Sequence, residues 1–132
     1  MSSGLFNLNG KRALITGSSQ GIGFALAKGL AAAGVEIVLN GRNAEKLASA
    51  AKALEADDTK THQLAFDATD HTAVREAVDG FESASGAIDI LVNNAGMQHR
   101  TALQDFPPEA FEQLLQTNIA SVFHVGQAVA RH

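Results

Sequence analysis

A chain of 132 residues with 45% hydrophobic content is long enough to bury one core and too short for two ordinary domains, so a single domain over 1–132 is expected. Ten basic and fourteen acidic side chains leave a net charge of −4; the acidic groups are scattered, which argues against nucleic acid and anionic membrane as partners and for a small soluble ligand. The absence of cysteine excludes a disulfide framework and thiolate metal ligation, and fits a cytoplasmic location.

The opening Met1-Ser2-Ser3-Gly4 has no basic cluster leading into an apolar run, so no secretory signal is expected there. Residues 12–16 form the first compact apolar segment, read as a buried strand, and a glycine-rich turn follows it. Residues 22–33, rich in Ala and Leu, then read as a helix that stops before Gly34, a residue suited to the left-handed position after a helix. The second strand is placed at 35–39. After Asn43, Leu47, Ala51 and Leu54 recur at helical spacing.

The third strand is placed at 63–66, and Asp70 is a plausible cap for a helix carrying Val74, Ala77, Val78 and Phe81 on one face. Residues 88–92 make the fourth strand. Pro107 and Pro108 then punctuate the chain before a long helix marked by Phe111, Leu114, Leu115, Ile119, Val122 and Phe123. Residues 113–130 carry no Asp, Glu, Lys or Arg. Gln113, Gln116, Thr117, Asn118, His124 and Gln127 nevertheless interrupt them too often for a lipid-exposed span, and the segment reads as a helix buried in protein.

Short strands alternating with helices predict an α/β domain with a parallel sheet, and right-handed crossovers favour the order 3-2-1-4, the first part of a doubly wound Rossmann fold. Such a sheet is incomplete. Its fourth strand is an edge and its last helix lacks neighbours, which predicts self-association through the terminal helix or further chain that covers it.

The turn Thr16-Gly17-Ser18-Ser19-Gln20-Gly21-Ile22-Gly23 lies between the first strand and first helix. A phosphate there would meet close backbone and a positive helix end. Gly17 allows the sharp turn, and Gly21 and Gly23 remove Cβ atoms that would obstruct a pyrophosphate or helix packing. The spacing G-x-x-x-G-x-G departs from the G-x-G-x-x-G dinucleotide pattern, so a purely structural turn stays open on the glycines alone. By residue type alone, Asp67 reads as a turn aspartate and Asn118 as a satisfied polar group in an apolar helix.

Taken together, the threonine with its three spaced glycines, Asp67 after the third strand, Asn93-Asn94-Ala95-Gly96 after the fourth, and Asn118 in the long helix resemble, in order, the motifs of the short-chain dehydrogenase/reductase family. The resemblance runs from about Leu8 onward and corresponds to the first half of a family member. It implies that Gly17, Ser19, Gln20, Gly21, Ile22 and Gly23 border the cofactor. It also implies that Asp67, with Ala68 beside it, contacts the adenine, that Asn93 stabilises the sheet, and that Asn94, Ala95 and Gly96 run along the cofactor. Asn118 is the implied catalytic residue, helping to hold a water in the family's proton relay.

In a dinucleotide fold an acid at the end of the second strand binds the free ribose hydroxyl and repels a 2′-phosphate. Asn40-Gly41-Arg42-Asn43 supplies no acid. Asn40 and Arg42 are therefore read as cofactor-binding, with Arg42 offering a planar charged donor array to the phosphate of NADP. A solvated arginine at a helix start is the other reading of Arg42. Gln20 stands where many NADP-preferring relatives carry a basic residue, so use of NAD also stays open.

The family's chemistry moves a hydride between nicotinamide and a carbonyl or alcohol carbon, with a tyrosine, a lysine and a serine handling the proton. This sequence contains no tyrosine, which predicts a chain that binds cofactor without completing catalysis. His62, His71, His124 and His132 read as ordinary surface or helix residues. His99, in Met97-Gln98-His99-Arg100, lies where open α/β sheets bind substrate. No metal site is indicated. The strings at 39–43 and 94–100 are similar to those of the family's gluconate 5-dehydrogenases, which implies a hydroxy/keto substrate of the gluconate and 5-ketogluconate type. A 3-oxoacyl-carrier-protein reductase and a non-catalytic dinucleotide-binding module are the alternatives.

Overall fold

A computed structural model describes residues 7–132; the opening Met1–Gly4, read above for a secretory signal, lies outside the described residues. Four parallel strands form one sheet: β1 (Arg12–Ile15), β2 (Glu36–Gly41), β3 (Thr61–Ala65) and β4 (Ile90–Val92), in the order β3-β2-β1-β4. This is the predicted 3-2-1-4 arrangement. Ile15 stands beside Leu39 on one side and Val92 on the other, and Gly41 stands beside Ala65, so all four strands end near one level.

Both faces of the sheet are covered, which is why its central strands read as continuous apolar runs. Side chains alternate across the pleat. Ala13, Ile15, Ile37 and Leu39 meet Ala27 of α1 (Gly21–Ala32) and Leu47, Ala51 and Leu54 of α2 (Ala44–Glu55). Leu14 and Val38 point the other way. They meet Val74, Val78 and Phe81 of α3 (His71–Ser85) and Val125 and Ala128 of α5 (Ser121–Ala130). Each fully buried Leu, Ile or Val contributes roughly 1.5–3 kcal/mol.

Local signals set the helix ends. The Asn43 side chain accepts from Lys46 N at 3.0 Å and starts α2, and Asp70 accepts from Ala73 N at 3.1 Å and starts α3. Gly34 follows α1 with φ of +90°. The long helix after Pro107 is really three pieces: α4 (Pro108–Leu115), a π-helical segment (Gln116–Ala120) and α5.

The expected burial of 113–130 holds for one face only. Ser121, Val125 and Ala128 are buried, whereas Phe111, Ile119 and Phe123 are more than half exposed. The reason is geometric: α3 flanks α5 on one side, and the rest of the helix surface faces outward. Among the described residues, no helix is long and apolar enough to cross a membrane.

Charge holds the strands together at their N-terminal ends. Glu36 of β2 accepts from Arg12 Nε of β1 and from His62 Nε2 of β3 at 2.8 Å, with Lys60 Nζ 3.4 Å away. Arg12 Nη1 also donates to the carbonyl of Ser85, the last residue of α3, at 2.8 Å, and the guanidinium lies 5.4 Å from the Phe81 ring centre. Burial pushes the Glu36 carboxyl up, but the hydrogen bonds from Arg12 and His62 outweigh it and hold the pKa below its ordinary value. His62 is thus not an ordinary surface or helix histidine: it is a strand residue hydrogen-bonded to the half-buried Glu36. His132 likewise touches Asp79 at 2.7 Å and Glu82 at 3.2 Å.

Candidate functional site

At the opposite end of the strands lies a cleft of about 610 Å³, and neutral groups build its floor. Thr16 is buried because its Oγ1 accepts two backbone N–H groups, from Asn94 at 3.0 Å and Ala95 at 2.9 Å. Asn94 Nδ2 donates in turn to Thr16 O at 3.2 Å and Gly17 O at 3.1 Å. These bonds tie the chain after β4 to the turn after β1. Here the assignment changes: Asn94, not Asn93, staples the strand ends, and Asn93 is exposed.

Asn40, at the end of β2, is 2% exposed, and its carboxamide is committed to the frame. Its Oδ1 accepts from Gly17 N at 3.1 Å, and its Nδ2 donates to Leu64 O at 2.9 Å and Phe66 O at 3.3 Å. Ser18 closes the other side, its Oγ accepting from Asn40 N at 3.0 Å. Asn40 borders the cleft. What it offers there is position, since its polar atoms already have partners.

The three glycines do different work. Gly17 has φ of +61°, and a Cβ there would sit 3.1 Å from Ala95 Cα. Gly21 has φ of +63° with no protein atom within 4 Å of where a Cβ would stand, so within the protein its backbone angle is what favours glycine. Gly23 is the reverse: a Cβ would fall 2.3 Å from Gly17 O and 2.5 Å from Asn94 Nδ2. That close approach sets α1 against the turn. The cap residue Gln20 makes no side-chain bond to the helix start, so among the described residues the first N–H groups of α1 have no side-chain cap.

Gly17, Ser19, Gln20, Asn40, Arg42, Asp67, Ala68, Asn94, Ala95 and Gly96 all line the cleft. Gly21, Ile22 and Gly23 do not; Ile22 is 75% exposed outside it, and Gly21 and Gly23 act through the backbone. Asp67 Oδ1 accepts from Thr69 N at 2.9 Å and Thr69 Oγ1 at 2.7 Å. Those two bonds outweigh burial and, with the Arg42 charge, hold the Asp67 carboxyl below its ordinary pKa. Its other oxygen lies 4.0 Å from Arg42 Nη1.

Asn118 sits in the π-helical segment, where it meets Met97 reciprocally: Oδ1 accepts from Met97 N at 2.8 Å and Nδ2 donates to Met97 O at 2.9 Å. It therefore pins the segment after β4 and reaches the cleft through Gly96 and Met97. Its neighbours Gln116 and Thr117, with Gln113 of α4, form one wall; sequence reading placed them on a buried helix. Lys46 and Asn43 also line the cleft unforeseen, although their spacing from Arg42 at the start of α2 was available as a signal. His99 lies outside the lining. Its ring packs on Phe106, centroids 5.0 Å apart, and its Nε2 meets Thr101 Oγ1 at 3.1 Å.

Comparison with known proteins gives a consistent answer. The family model described as short chain dehydrogenase matches residues 11–132. Gluconate 5-dehydrogenase of Gluconobacter oxydans is 54% identical over 128 residues, 97% of this chain and 50% of that protein. The 5-keto-D-gluconate 5-reductase of Escherichia coli K12 is 41% identical over the same shares. Among solved structures, a gluconate 5-dehydrogenase from Burkholderia cenocepacia J2315, in complex with NADP and tartrate, superposes with a TM-score of 0.92 at 51% identity, over 96% of this chain and 49% of that one. The chain spans about half the length of the curated relatives it matches. It belongs to the short chain dehydrogenase family.

Proposed function

We propose that this short chain dehydrogenase sequence binds NADP in the cleft at the strand ends and serves an oxidoreductase that interconverts a hydroxy acid and its keto form, of the gluconate and 5-ketogluconate type. The observation that carries the reading is the meeting of the uncapped α1 N-terminus, Asp67 and Arg42 in one cleft. A helix end with free N–H groups suits a pyrophosphate. Asp67 offers an acceptor to the adenine amino group, and Arg42, 80% exposed, offers a charged fork to the 2′-phosphate. The Burkholderia relative's complex with NADP and tartrate supports both the cofactor and the acid class; dual use of NAD is weighed by the same titration.

Hydride exchange is the cofactor's chemistry, and these residues hold and orient it. Asn118, through Met97, fixes the backbone along the nicotinamide side, consistent with its place in the relay. The 132 residues contain no tyrosine, so taken alone they are expected to bind cofactor without turnover. The exposed face of α4 and α5 is the surface for self-association, and the cysteine-free composition suits a reducing cytoplasm.

The test is titration of the 132-residue chain with NADPH and NADH, read by nicotinamide fluorescence. NADPH should bind more tightly, and Arg42→Glu should lower that preference about a hundredfold, as expected when a bidentate charge-assisted contact becomes repulsive. An unchanged ratio would remove the phosphate role from Arg42. Reduction of 5-ketogluconate by the isolated chain would overturn the module reading.

A further inference from the structure

Resting on that NADP reading, we infer that Lys46 is a second specificity-determining cation for the 2′-phosphate, and that Arg42 alone does not supply the charge the subsite needs. A 2′-phosphate brings up to two negative charges. Arg42 faces it with its Nη1 4.0 Å from the Asp67 carboxylate, which its Thr69 hydrogen bonds keep ionised. Arg42 therefore shares its charge with a neighbouring carboxylate, and Lys46 is the other cation lining the cleft.

Lys46 lies four residues beyond Arg42 and one turn into α2, its backbone N held by the Asn43 cap at 3.0 Å. Three residues after such a cap, Glu or Gln would reach back to the helix start, and a cation meets the positive end of the helix dipole. Local helix stability therefore disfavours lysine here. Among the described residues it forms no ion pair that would compensate. An anion delivered into the cleft supplies what the fold itself withholds.

The competing cleft between α3 and α5 does not support a comparable site. Arg75 and Arg131 line it, but so do Glu76 and Asp79, and no net charge is left to select a ligand.

The experiment compares the wild-type chain with Lys46→Gln, Lys46→Arg and the same-helix control Lys52→Gln, titrated with NADPH, NADH, 2′,5′-ADP and 5′-AMP. Lys46→Gln should weaken NADPH and 2′,5′-ADP about tenfold and leave NADH and 5′-AMP within about twofold. It should also flatten the salt dependence of NADPH binding. Lys46→Arg should retain most of the affinity, and Lys52→Gln should match wild type. A wild-type chain that prefers NADPH, with Lys46→Gln unchanged or with Lys52→Gln equally impaired, overturns the role of Lys46 and leaves the NADP reading standing. A wild-type chain with no preference for NADPH overturns that reading, and this inference with it.

Discussion

The two ends of the same four strands are joined by opposite means. At the N-terminal ends, Glu36 gathers Arg12, His62 and Lys60 into an ion network spanning β1, β2 and the chain into β3. At the C-terminal ends, Thr16, Ser18, Asn40 and Asn94 do the equivalent job with hydroxyls, carboxamides and backbone groups. A neutral frame leaves Arg42, Lys46 and Asp67 as the charged groups that line the cleft, while the full charges of the Glu36 network lie at the far end of the strands.

That contrast can be broken by substitution. The largest effect is expected at Gly23, whose missing side chain leaves only 2.3 Å to Gly17 O. Gly23→Val should destabilise the domain by about 4 kcal/mol or more and abolish NADPH binding; a variant that melts and binds like wild type would mean the turn is not rigid. Next is Asn40→Leu, similar in volume but unable to serve Gly17, Leu64 and Phe66. It should cost about 3 kcal/mol by leaving buried groups unpaired, and urea denaturation should show the same loss across pH 5 to 8. A pH-dependent loss would contradict the neutral frame.

The smallest is Glu36→Gln at the charged end, expected to cost about 1–2 kcal/mol at neutral pH. Because the folded Glu36 pKa is lowered, its contribution is present above the ordinary glutamate range, about 4.3. It is lost as pH falls through the lowered folded value. Wild type and Glu36→Gln should therefore approach each other in stability as pH falls below the ordinary range and converge below the lowered folded value. Urea curves that stay separated by the same amount at low pH would show that shape, and not charge, explains the network.

Which features could be read beforehand follows from the same physics. Strand order was legible because apolar runs and right-handed crossovers leave few arrangements. Strand β3 begins earlier than its apolar signal, since the polar Thr61 and His62 belong to an edge strand bonded on one side to β2. Asn93 and Asn94 are chemically identical neighbours, and only the backbone path after β4 decides which one faces the turn after β1. Gly17, Gln20, Asp67 and Arg42 could be placed at the cleft because they directly follow strands whose ends were legible. Lys46, Gln113 and Gln116 could not, because their place depends on which side of a helix meets the cleft.

The π-helical segment has a consequence for the chain's tolerance of change. A π turn carries one residue more than the α-helix it interrupts, so it acts as a phase shifter, offsetting everything after it by about 100° about the helix axis. Gln113, Gln116 and Thr117 can thus face the cleft while Val125 and Ala128 still face α3. Deleting a single residue from 116–120 would restore a regular helix and turn those two faces out of step. Loss of one residue there would be a rotation of the whole helix, felt at both ends.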